Sequence, residues 1–110
     1  MGVTVKKVKD VAVAEVSGEI DGSTAPAVQQ QIRAAASENQ KIVLDLTNVP
    51  YMSSAGLRML LSTYRQVTGN GGRVVLVGVA PEIRDTMEIT GFLRFFTLLG
   101  TVEDAVAALA

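Results

Sequence analysis

The chain has 110 residues, of which 48% are apolar and 19% are charged, so we expect a single globular domain over residues 1–110. Ten basic and eleven acidic residues give a net charge of −1, which provides no overall field to attract nucleic acid or an anionic membrane. The sequence contains neither cysteine nor histidine, which excludes disulfides and most transition-metal centres and hydrolase triads. The composition therefore argues against an enzyme and indicates no metal and no cofactor.

The distribution of apolar residues also bears on location. The N-terminal segment has no hydrophobic signal region, and the longest apolar run lies near residues 74–80. That run is far shorter than the roughly 20 residues that a membrane-spanning helix needs. We therefore expect a cytoplasmic protein without direct membrane contact.

The chain opens with a predicted β-hairpin followed by a helix. Two runs rich in β-branched residues, at 3–6 and 11–16, flank a polar pair and predict two antiparallel strands. Ser23 or Thr24 can then cap a helix that carries Pro26 in its first turn. The inward positions of this helix, at helical spacing, are Val28, Ile32 and Ala35.

Strands and helices alternate over the rest of the chain. The predicted strands are 41–46, 74–77 and 95–99, and the predicted helices run from Ser53 to Gly69, from Pro81 to Thr90 and over 102–109. The order β-β-α-β-α-β-α-β-α predicts an α/β fold with right-handed crossovers. We expect one mixed sheet that opens with an antiparallel hairpin and continues as parallel β-α repeats, with about four helices packed on it.

Three conspicuous groups of residues have ordinary structural explanations. The glycine-rich run at 69–72 follows a helix and precedes a strand, which is the wrong order for a phosphate-binding loop and typical of a helix end. Lys6, Lys7 and Lys9 lie in the first hairpin, where charge protects an edge strand from unwanted pairing. The three phenylalanines, Phe92, Phe95 and Phe96, are predicted to belong to the core.

The start of the second helix has an unusual sequence. If Ser53 is the N-cap, Ser54 and Ala55 follow it and Gly56 occupies the position where Glu or Gln would complete a capping box. Because glycine inside a helix costs about 0.5 to 1 kcal/mol relative to alanine, this turn is expected to require a small residue. Such a turn leaves backbone N–H groups accessible to an anion, including a phosphate attached to a hydroxyl there.

The same segment resembles the signature of STAS domains, the bacterial anti-sigma-factor antagonists. In that family a strand ends in Asp-x-Ser or Asp-x-Thr. It is followed by an aromatic residue, then by Met or Ile, and then by Asp-Ser-Ser-Gly or Asp-Ser-Ala-Gly. In this chain residues 45–57 read Asp-Leu-Thr-Asn-Val-Pro-Tyr-Met-Ser-Ser-Ala-Gly-Leu. Residues 17–21, Ser-Gly-Glu-Ile-Asp, are similar to the family's Gly-Glu-Leu-Asp, and the element order agrees along the whole chain. The resemblance implies a single STAS domain over residues 1–110.

The resemblance also implies a function. The unmodified protein would bind an anti-sigma factor of the serine-kinase type and free the sigma factor. The kinase would cancel this binding by phosphorylating one serine at the start of the second helix, and a phosphatase would restore it. The resemblance further implies that the protein is a monomer or a weak homodimer.

Alignment with the family motif assigns the site residues. The phosphorylated serine of the family falls on Ser54, and Ser53 stands where the family usually has Asp, which makes Ser53 a rival acceptor. Asp21 and Thr24 would lie beside the site and contribute to partner contact. Together with Ser53, Ser54 and Gly56 they form the predicted partner-binding surface.

Two other functions are compatible with the sequence. A STAS-like accessory subunit could dock onto a membrane transporter, with the serine site as a contact that is never phosphorylated; the missing Asp at position 53 favours this. A small enzyme could use Ser53 or Ser54 as a nucleophile, but without His or Cys it would need a lysine base, and no lysine is nearby in the sequence.

Overall fold

A five-stranded mixed sheet carries four helices, in the order that the sequence predicts. The computed structural model describes residues 2–110. The elements are β1 (Gly2–Val8), β2 (Val11–Ser17), α1 (Ala25–Glu38), β3 (Lys41–Asn48), α2 (Ser54–Gly69), β4 (Arg73–Val77), α3 (Pro81–Ile89), β5 (Thr97–Leu99) and α4 (Val102–Leu109). The predicted fold class is therefore confirmed.

The strands lie in the order β1-β2-β3-β4-β5. β1 is antiparallel to β2, whereas β2, β3, β4 and β5 are mutually parallel neighbours, as the predicted crossovers require. Because the carboxyl ends of parallel strands meet at one edge of a sheet, the loops that follow β2, β3, β4 and β5 gather at that edge. This edge contains the start of α2.

Each face of the sheet contributes to a separate apolar cluster. Alternate residues of β3, Ile42, Leu44 and Leu46, pack with α1, α2 and α3. Val43, on the opposite face, packs with Val75 beneath α4. Because successive side chains of a strand point to opposite faces, β3 contributes to both clusters, and α2 packs on the face that carries the larger one.

The last strand is shorter than predicted. A 3₁₀ turn occupies Leu93–Phe95, and β5 begins at Thr97, since only three of its residues pair with β4. Phe95 and Phe96 instead pack against Tyr64, with ring centroids 5.7 and 5.4 Å away. All three phenylalanines are half-buried, and of these Phe92 and Phe96 pack against the core cluster but Phe95 does not, so the prediction that all three belong to the core was only partly correct.

The glycine-rich run forms the predicted helix end, and Lys6 and Lys7 lie on the edge strand β1, whereas Lys9 lies in the turn that joins β1 to β2. α2 ends at Gly69, and Gly71 adopts a positive φ of 80°. Lys6 pairs with Glu15 at 3.2 Å on the edge strand β1, and Lys7 donates a hydrogen bond to the Asn39 side chain. Within residues 2–110, no helix is both long and apolar enough to cross a membrane.

Gly78, in the loop that follows β4, is predicted to be important for the stability of the fold. Its φ is +70°, and a Cβ there would lie 2.9 Å from the Cα of Thr47. Gly78→Ala should therefore lower the free energy of unfolding by about 1 to 3 kcal/mol in urea denaturation. Gly69→Ala is the matched control, because a Cβ at that helix end meets nothing within 4 Å. Equal stabilities of the two variants would contradict this prediction.

Candidate functional site

The loops that follow β2 and β3 are joined by backbone hydrogen bonds beyond the ends of the strands. Gly18 N–H donates to the carbonyl of Asn48 at 3.0 Å, and Ile20 N–H donates to Tyr51 at 3.0 Å. Ser53 N–H in turn donates to the Ile20 carbonyl at 2.8 Å. The parallel pairing of the two strands thus continues up to the first turn of α2 and sets its position.

Asp21 and Thr24 close the loop before α1. The Asp21 carboxylate accepts hydrogen bonds from the Ser23 hydroxyl at 2.7 Å, the Ser23 N–H at 2.8 Å and the Thr24 N–H at 3.1 Å. The Thr24 hydroxyl donates to the Glu19 carbonyl at 3.0 Å and accepts from the Asp21 N–H at 2.9 Å. Both residues follow Ile20, whose carbonyl accepts from the Ser53 N–H, and their polar atoms hold the loop together.

The charge of Asp21 is stabilised by the same contacts. The hydrogen bonds from the Ser23 hydroxyl, and then from the N–H groups of Ser23 and Thr24, lower the pKa of Asp21 below its usual value. The carboxylate therefore stays ionised near neutral pH, and its charge is satisfied within the loop.

The two adjacent serines have different environments. Ser53 is the N-cap of α2, and its hydroxyl accepts a hydrogen bond from the Gly56 N–H at 3.4 Å. Ser54 is the first helical residue and is exposed, and its hydroxyl has no hydrogen-bond partner within residues 2–110. The first turn contains no acidic side chain. Of the two predicted acceptors, only Ser54 presents an uncommitted hydroxyl to solvent.

The small residue required in this turn is explained by internal packing. Gly56 is buried, and a Cβ there would lie 2.5 Å from Met52 Cγ and 3.0 Å from Ile20 Cγ2. Both neighbours belong to the core. The structure therefore gives Gly56 a packing role beneath the site rather than a place on the exposed surface where a direct partner contact was predicted.

Two exposed residues beside the serines were not identified as site residues from the sequence. Tyr51 precedes the first turn of α2 and is 50% exposed. Arg58 lies one turn after Ser54 on the same helix and is exposed as well. Both residues could have been identified from the sequence, since an i, i+4 spacing puts Ser54 and Arg58 on one face of a helix and Tyr51 is adjacent to the motif. They add an aromatic and a cationic group to the surface.

Comparison with known proteins identifies the family. The STAS domain family model matches residues 2–105. The chain belongs to the STAS family. BtrV of Bordetella bronchiseptica is 32% identical over 98% of this chain and 94% of its own. The anti-sigma-F factor antagonist RsfB of Mycobacterium tuberculosis is 31% identical over 94% of this chain and 85% of its own.

Solved structures agree with the STAS assignment. A crystal structure of an anti-sigma factor antagonist from Mycobacterium paratuberculosis superposes with a TM-score of 0.89 at 35% identity, covering 98% of this chain and 92% of the other. The murine anion transporter Slc26a9 contains a similar fold, with a TM-score of 0.82 at 13% identity over 94% of this chain and 18% of the transporter. The latter likeness shows the fold alone.

The different environments of the serines predict different effects on stability. Ser53→Ala removes the N-cap acceptor and should lower the free energy of unfolding by about 0.5 to 2 kcal/mol, whereas Ser53→Asp should retain the cap. Ser54→Ala, at an exposed site with no hydrogen bond to lose, should change it by less than about 0.5 kcal/mol. Urea denaturation of the three variants measures this. A larger loss for Ser54→Ala than for Ser53→Ala would refute the assignment of the cap.

The packing role of Gly56 predicts coupling with Met52. Gly56→Ala should destabilise the fold by about 1 to 3 kcal/mol, because overpacking outweighs the higher helix propensity of alanine. In a Met52→Ala background, where the contacting Cγ is gone, the same substitution should cost much less. A double-mutant cycle measures the coupling, and additive effects of the two substitutions would show that the Met52 contact is unimportant.

Proposed function

We propose that this STAS protein is an anti-sigma-factor antagonist that is switched off by phosphorylation of Ser54. In the unmodified state it binds an anti-sigma factor of the serine-kinase type and so releases the sigma factor, and a phosphatase reverses the modification. A partner of this kind would place the protein in the cytoplasm. The relatives named as anti-sigma-factor antagonists, which are regulatory binding proteins, support the general role.

The observation that carries the proposal is the exposed and unpaired hydroxyl of Ser54 at the start of α2. A kinase must reach the hydroxyl that it modifies, and Ser54 is accessible without any rearrangement. Ser53 is half-buried and accepts the capping hydrogen bond from Gly56. Modification of Ser53 would therefore disturb the cap, which favours Ser54 as the acceptor.

The phosphate is expected to act on the partner rather than on the fold. Phosphorylation adds about −1.5 to −2 charge near neutral pH, and a helix N-terminus favours such a charge by about 0.3 to 1 kcal/mol. On a surface that is desolvated by a partner, an unpaired charge costs about 2 to 5 kcal/mol. That cost corresponds to roughly 30-fold to several thousand-fold in affinity, which is sufficient for a switch.

The transporter-subunit alternative lacks comparable support. The likeness to the anion transporter is limited to the fold, at 13% identity. The absence of the family Asp at position 53 remains its main argument, but Ser53 fulfils the capping function that an Asp would also perform.

The experiment compares three baits in a pull-down from lysate of the native host, followed by titration calorimetry with the protein that the wild-type bait retains. We expect wild type and Ser54→Ala to bind equally, and Ser54→Asp to bind at least 30-fold more weakly. Phosphopeptide mapping of the native protein should place the modification on Ser54.

Thr68→Asp is the matched control, because it adds the same charge at an exposed position near the C-terminal end of α2, outside the region of Ser54. It should bind like wild type. Equal affinities of wild type, Ser54→Ala and Ser54→Asp would exclude the switch, and a phosphate found only on Ser53 would reassign the acceptor.

A further inference from the structure

A groove separates α1 from α2 next to Ser54. It is an open cavity of about 400 Å³. Its lining residues are Gly22, Ala25, Pro26, Gln29, Arg33, Ala55, Arg58, Met59 and Ser62. Gln29 donates a hydrogen bond to the Ser62 hydroxyl at 3.0 Å and links the two helices. Small residues from both helix starts leave room for a segment of another chain to approach.

The groove carries two uncompensated positive charges. Arg33 on α1 and Arg58 on α2 are both exposed, and neither forms an ion pair or a hydrogen bond within residues 2–110. None of the described residues that line the groove is acidic. Asp21, just before the lining residue Gly22, has its carboxylate engaged by Ser23 and Thr24. A chain with a net charge of −1 thus concentrates positive charge at this point.

We propose that this groove binds an acidic segment of the partner protein through Arg33 and Arg58. Guanidinium groups pair with carboxylates in bidentate geometry, and two of them on opposite walls can fix the direction of an extended segment. The identity of the partner rests on the function proposed above, whereas the acidic character of its docking segment follows from the charge of the groove.

The position of Arg58 connects the groove to Ser54. Residues four apart on a helix are surface neighbours, and helical side chains lean towards the N-terminus. Arg58 lines the groove together with Ala55, the residue next to Ser54, so a phosphate on Ser54 is expected to come within reach of the Arg58 side chain. Because a phosphate forms a strong charge-assisted pair with arginine, phosphorylated Ser54 competes with the carboxylates of the partner for Arg58.

The test uses Arg33→Gln, Arg58→Gln and the double variant against the partner retained by the wild-type bait. We expect each single variant to bind about three- to tenfold more weakly and the double variant to lose most of the dependence of affinity on salt concentration. Arg65→Gln, on an exposed part of α2 outside the groove, is the matched control and should bind like wild type. Wild-type affinity of the double variant would overturn the proposal.

A second measurement does not require the partner. A twelve-residue peptide with six glutamates is titrated into the labelled full chain, and the arginine Nε–H signals are followed by NMR. The signals of Arg33 and Arg58 should shift, those of Arg65 should not, and a peptide with glutamine in place of glutamate should have no effect. Equal shifts at Arg65, or none at either groove arginine, would refute the groove as a site for carboxylates.

The outcomes separate the two proposals. If no protein is retained by the wild-type bait, the proposed function fails and the peptide titration decides on the groove. If a partner binds with lower affinity to Ser54→Asp but with unchanged affinity to the two arginine variants, the groove proposal fails and the proposed function stands. If Ser54→Asp weakens binding equally in wild type and in Arg58→Gln, the competition for Arg58 is excluded.

Discussion

The site depends on the parallel hydrogen bonding of β2 and β3 continuing into the loops that follow them. The exchange of backbone hydrogen bonds between Ile20, Tyr51 and Ser53 fixes the start of α2 against the neighbouring loop. Gly56 packs directly over Ile20 and Met52, so the helix approaches this pair as closely as backbone allows. These contacts together set the position of the first turn of α2 at the edge of the sheet.

As a consequence, two adjacent serines have different roles. Ser53 satisfies a backbone N–H of the first turn, and Ser54 satisfies none. The motif that this segment resembles usually has Asp at the position of Ser53, and both residue types are good N-caps. The departure from the motif therefore preserves the cap while removing a negative charge beside Ser54. With serine at position 53, the N-cap of α2 provides no carboxylate that could compete for the groove residue Arg58.

The sequence was sufficient for the elements whose patterns are local. The sequence predicted β3 over 41–46 and the second helix from Ser53 to Gly69, close to the observed bounds, and the Ser-Ser start of α2 predicted its cap. The reason for Gly56 could not be obtained in this way, because Ile20 is distant in sequence and meets Gly56 only through the pairing of the loops. Likewise, the start of β5 was misplaced since packing against Tyr64 determines it.

The same limit applies to the candidate site. The i, i+4 spacing of Ser54 and Arg58 predicts that the two residues are neighbours, but Arg33 belongs to another helix and joins them only in the folded chain.

This arrangement determines whether phosphorylation is expected to affect the fold or the binding of the partner. A phosphate on Ser54 is favoured by the dipole of α2 and by Arg58, so it is compatible with the fold of its own chain. In the proposed complex, the same charge would oppose a partner that must desolvate the surface and supply carboxylates to it. Because the two effects have opposite signs, modification can change binding strongly while leaving the stability of the domain nearly unchanged.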